Sequence, residues 1–115
     1  MNYKTARNFL LTQGTALQTQ QNPNDLLMML KVGKPPVPGQ MTSILVALKI
    51  VFDVVQQEPN LDRELTLALH MLCYESYRMY VEGRFAGVEW PPLLDQDIDR
   101  IAYAVRSIFA GTNQG

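Results

Sequence analysis

The sequence predicts an all-α protein: a single-domain bundle of four main helices plus one short helix. Three observations carry that reading. Apolar residues recur three and four positions apart in four long segments. Proline, glycine and asparagine gather between those segments. Of the 115 residues, 47 % are apolar, enough for one core and too few residues for two. Residues 1–111 are expected to form the bundle, and residues 112–115 a disordered tail.

The first helix is expected over residues 2–20. Ala6, Leu10, Gly14 and Leu17 fall on one face. Gly14 interrupts that face with the poorest helix former after proline. Close approach of a neighbouring helix explains it, and so does a bend. Asn22-Pro23 then reads as a cap with proline at the first helical position. A short helix follows through Leu26, Leu27, Met28, Met29 and Leu30, stopping near Gly33. Such a helix is not stable alone.

Three prolines in residues 34–39 exclude helix there. A nine-residue polyproline stretch reaches about 28 Å. That matches an eighteen-residue helix of about 27 Å, so the linker is long enough to cross the bundle.

Residues 40–57 make the most apolar helix. Its polar strip, Thr42, Lys49, Asp53 and Gln56, has helical rather than alternating spacing, which rules against a strand despite the β-branched content. Being apolar nearly all round, it is expected at the centre of the bundle. Glu58-Pro59-Asn60 breaks the chain, and Asn60 is the expected cap of the longest helix, residues 61–82. Its main stripe is Leu61, Leu65, Ala68, Leu69, Leu72, Ser76 and Met79. Leu67, Met71 and Tyr74 form a second apolar patch on the far side. Gly83, Gly87 and Trp90-Pro91-Pro92 mark a loop. The last helix runs from residue 92 or 93 to 110, with Leu94, Ile98, Ile101, Ala102, Val105, Ile108 and Phe109 as its stripe. Asp95, Asp97 and Asp99 at its start and Arg100 and Arg106 later suit the helix dipole.

Composition removes many functions. A net charge of −1 and a pI near 5.7 speak against a nucleic-acid or anionic-membrane binder working through a basic face. One cysteine and one histidine exclude an intrachain disulfide and any multi-histidine metal site. The longest apolar run, residues 44–55, is too short to span a bilayer and carries Lys49 and Asp53. No signal-like segment opens the chain, so a cytoplasmic location is expected.

No motif builds a catalytic, cofactor or metal site. His70 and Cys73 lie three apart among apolar residues, where a packed thiol is the better reading. Asp95-Gln96-Asp97-Ile98-Asp99 imitates a calcium loop, but Arg100 and Arg106 replace its glycine and glutamate. Gly33-Lys34 is followed by proline, so no phosphate loop forms. Arg78, Arg84, Arg100 and Arg106 read as solvated surface rather than an anion site. The 34–38 stretch reads as a rigid spacer rather than a ligand for a proline-recognising domain. Trp90 reads as a clamp over the bundle end rather than a recognition knob.

The segments Val32-Gly33-Lys34-Pro35-Pro36-Val37-Pro38-Gly39-Gln40 and Gly87-Val88-Glu89-Trp90-Pro91-Pro92-Leu93-Leu94-Asp95 resemble a family of small, all-helical cyanobacterial proteins, some labelled dethiobiotin synthetase. The resemblance implies a cyanobacterial cytoplasm. The synthetase label needs a phosphate loop in a larger α/β domain, so it transfers no catalytic residue to this chain.

The expectation is therefore a non-enzymatic helical protein acting through a protein partner or as a homo-oligomer. Leu67, Met71, Tyr74, Met28, Met29 and Trp90 are its candidate contact surface. The competing reading is a bundle holding a small apolar or anionic ligand between helices. The Leu67 patch has two expected covers: the short helix of the same chain, slightly favoured, or another subunit.

Overall fold

A computed structural model describes residues 1–115 and contains six helices and no strand. They are α1 (Tyr3–Gly14), α2 (Ala16–Thr19), α3 (Leu26–Lys31), α4 (Gln40–Val55), α5 (Arg63–Phe85) and α6 (Leu94–Ala110). Helices α1, α4, α5 and α6 are the four corners of a bundle. α1 packs on α4 and α5, and α6 packs on α4 and α5, which leaves α4 and α5 on a diagonal. The fold class is all-α, as the spacing predicts.

Contacts at the helix ends set the directions. Arg7 bonds Asp62 and Gly14 lies against Ala68, so α1 and α5 run parallel. Gly111 approaches the carbonyl of Gln56, so α4 and α6 also run parallel. The start of α5 shares a cleft with Ile108 to Gly111, so those two helices are antiparallel. The loop from Gln56 to Asp62 therefore crosses the bundle end on the diagonal.

Every helix supplies buried side chains to one core, including Leu10, Leu27, Ile44, Leu72 and Ile101, all fully or almost fully buried. The main stripe of α5 is buried from Leu65 to Met79, as its spacing requires. Leu26, Leu27 and Leu30 of α3 are buried too. At about 1.5–3 kcal/mol each, those three leucines stabilise a helix of six residues that has no independent stability.

Several expectations are corrected. The first helix is not continuous to residue 20. It breaks at Thr15, whose hydroxyl donates back to the Leu11 carbonyl at 2.7 Å. Such back-bonding bends helices. Asn22 does not cap α3. Its Oδ1 accepts from the Asn24 amide at 2.9 Å, forming a turn, and Asp25 occupies the cap position. Gln13 explains why Asp25 faces inward: its carboxamide donates to Asp25 Oδ1 at 3.0 Å and accepts from the Leu26 amide at 3.2 Å. This buried pair ties the α2–α3 turn to α1.

Asp62, not Asn60, caps α5 by accepting from the Glu64 amide at 3.0 Å. α5 continues through Gly83 to Phe85. α4 is a corner helix rather than the central one. Its two neighbours leave Val46 and Val54 46 % and 51 % exposed. Phe109 likewise falls outside the buried stripe of α6.

The proline linker does not cross the bundle. α1 and α2 carry the chain along the bundle first, so α3 already ends where α4 begins. Gly33 closes α3 in a Schellman turn, with Lys34 donating to the Met29 carbonyl at 2.9 Å. Gly87 closes α5 the same way through Val88 and the Gly83 carbonyl at 2.8 Å. The two turns meet, because Val88 Cγ2 lies 3.3 Å from where a Cβ on Gly33 would stand. Gln40 then pins the linker by donating to the Asn24 carbonyl at 2.7 Å.

Candidate functional site

α5 turns one stripe toward α1, α3 and α6 and the opposite stripe away from all of them. Helical geometry sets Leu67, Met71, Tyr74, Arg78, Val81 and Phe85 along that outward line, each three or four residues from the next. From Leu67 to Phe85 it runs eighteen helical steps, about 27 Å. Leu67 is 57 % exposed, Tyr74 53 % and Phe85 89 %, while Met71 and Val81 are half-buried. Tyr77, also exposed, flanks the line. Surface hydrophobics scattered singly are ordinary, but a continuous row of this length is not.

The short helix does not cover this row. α3 lies instead beside Met79, Glu82, Gly83 and Ala86 and meets the row only at the flank of Arg78. The slightly favoured intrachain cover is therefore overturned. α3 has its own place for its leucines, in the main core.

The six candidate residues do not form one surface. Leu67, Met71 and Tyr74 stand together on the outward row. Met28 packs on the core, and Met29 is half-buried with its carbonyl engaged by Lys34. Trp90 lies elsewhere: its indole sits on Gly83 and Nε1 donates to the Tyr80 carbonyl at 2.9 Å. It is the loop clamp that its neighbouring prolines suggest. The row instead gains Val81 and Phe85, which the spacing from Tyr74 already signals once α5 continues past Glu82.

Charge on the row is confined to Arg78. Its guanidinium bonds Glu75 through Nε at 3.0 Å and Glu82 through Nη1 at 2.9 Å. The Glu75 carboxylate and then Glu82 hold the Arg78 pKa above its ordinary value. The fork is thus fixed flat along the helix, with an apolar neighbour on either side along the row.

His70 and Cys73 make no joint site. The His70 ring stacks on Tyr74, with centroids 5.8 Å apart and planes 12° from parallel. Cys73 packs on the core, and burial pushes its thiol pKa up, away from the reactive thiolate. The four arginines do not gather. Arg84 lies over Tyr80 near the end of α5, Arg100 bonds Asp97, and Arg106 stands toward the opposite end of the bundle. No group of three or more His, Cys, Asp or Glu side chains is placed to hold a metal ion.

No helix is long and apolar enough to cross a membrane. No family model, curated protein or solved structure matches the chain.

Proposed function

We propose that this protein is a non-enzymatic contact module of the cytoplasm that self-associates through the outward row of α5. The observation that carries the reading is the exposed apolar row itself, whose helical spacing reads the same in both directions and so allows two antiparallel copies to pair. Leu67 and Phe85 are equidistant from Ser76, as are Met71 and Val81, and Tyr74 and Arg78. A two-fold axis at that level pairs two antiparallel copies of α5 and opposes each residue to its mate: leucine to phenylalanine, methionine to valine, tyrosine to arginine. Isologous interfaces need this self-complementarity. The Tyr74–Arg78 pairing adds a cation–π contact to the apolar ones.

Magnitude sets the kind of dimer. A single helix pair lies below the standard interface of about 800 Å² per partner. The association is therefore reversible and falls apart on dilution.

Light scattering after size exclusion tests this at two protein concentrations. The wild type should show a mass near twice the 13.0 kDa chain mass at about 100 μM and fall toward the chain mass on dilution. Phe85→Glu and Met71→Glu should be monomeric at both, with an unchanged helical spectrum. Phe85 is nearly fully exposed, so a charge there does not threaten the fold. A wild type that is monomeric at the higher concentration, or a Phe85→Glu variant that still dimerises, rejects the proposal.

A further inference from the structure

The loop that crosses the bundle end on the diagonal does not seal it. Between that loop, the last turn of α6 and the first turn of α5 lies a cleft of about 660 Å³. The volume falls within the range of small-molecule sites. Half-buried Val55 and Leu61 and buried Ile108 give it an apolar floor.

Two charges of opposite sign line the cleft, Glu58 and Arg63, and no other charged residue does. Both are exposed. The five ion pairs of the protein include neither, so the two do not neutralise each other. The carboxylates beside Arg63 in the chain leave it free: Asp62 is taken by Arg7, and Glu64 lies on a different line of the helix. Acceptors gather where α6 ends. The carbonyls of Ile108, Phe109 and Ala110 accept no hydrogen bond and carry the negative end of the helix dipole. A ligand with one charge would satisfy only one of the two side chains. A ligand with both charges satisfies both.

From this unpaired cation and unpaired anion over an apolar floor, we infer that the cleft binds a free aliphatic amino acid as its zwitterion. Its carboxylate meets Arg63, whose guanidinium can bond both oxygens. Its ammonium meets Glu58 and the terminal carbonyls of α6. Its side chain lies on Val55, Leu61 and Ile108. None of the lining residues belongs to the outward row of α5, so the inference does not rest on self-association.

Three probes with one aliphatic body test it at neutral pH: L-leucine, isocaproate, which lacks the ammonium, and isoamylamine, which lacks the carboxylate. Amide-resolved NMR titration of the full chain should show saturable shifts with leucine, centred on residues 55–66 and 108–111. Isocaproate and isoamylamine should each bind at least about tenfold more weakly. Arg63→Gln and Glu58→Gln change exposed side chains and should stay folded. Each should lose at least about tenfold in leucine affinity. Arg63→Gln should then bind leucine no better than isoamylamine, and Glu58→Gln no better than isocaproate. Leucine that fails to saturate, shifts scattered away from the cleft, equal binding of the three probes, or variants that bind leucine as the wild type does would each overturn the inference.

Discussion

A Cβ placed on Gly14 would stand 2.1 Å from the carbonyl oxygen of Ala68. The parallel pair α1 and α5 therefore meet backbone to backbone at this point, and no side chain fits between them. The obstacle is helix backbone at the buried residue Ala68, so it does not yield as a flexible side chain does.

Gly14→Ala should accordingly destabilise the protein by about 1–3 kcal/mol, the range of core overpacking. Helix propensity alone argues the opposite, favouring alanine by about 1 kcal/mol. Urea unfolding followed by circular dichroism decides which effect wins. A stabilised variant would show that α1 and α5 do not approach in this way.

Gly83 makes a similar seat for Trp90, since a Cβ there would fall 2.4 Å from Trp90 Cζ2. Gly83→Ala should displace the indole and break its bond to the Tyr80 carbonyl. Trp90 is the only tryptophan, so its fluorescence reports this event alone. Emission should move to the red, and stability should fall by about 1–3 kcal/mol. The helical signal should persist, because alanine suits the interior of α5 better than glycine.

Asp62 joins two elements. It caps α5 and accepts from Arg7 Nε of α1 at 2.9 Å. The hydrogen bond from Arg7 holds its pKa below the ordinary carboxylate value, with further help from the amides of Leu65 and Glu64. A depressed folded pKa stabilises the fold above the unfolded value of about 3.9 and loses that effect as pH falls through the folded value. Asp62→Asn keeps a capping oxygen and removes the charge. Its deficit should therefore be largest near neutral pH and vanish in acid. The pair is exposed, so screening holds the deficit under about 1 kcal/mol. Denaturant unfolding between about pH 7 and pH 3 checks both sign and size. A deficit that grows in acid would reverse the assignment.

The candidate surface shows how far linear spacing reaches. Leu67, Met71 and Tyr74 are legible as a second patch because positions three and four apart share a helix face. Val81 and Phe85 are missed when Gly83 is read as a stop. That glycine serves Trp90 instead, and nothing near it in the chain reveals an indole held by a loop seven residues on.

Composition and spacing alone determined the all-α class, the long helices, the buried stripe of α5 and the packed role of Trp90. These follow from short-range rules: a residue's partners along a helix lie within one turn, and proline acts on its immediate neighbours. Tertiary structure alone decided that α4 is a corner, that α3 buries its leucines in the main core, and that the α5 row stays uncovered. Those outcomes depend on which helices are neighbours. Burial rewards any apolar contact without direction, so an apolar face states that it must be covered and leaves the choice of cover to the packing of the whole chain.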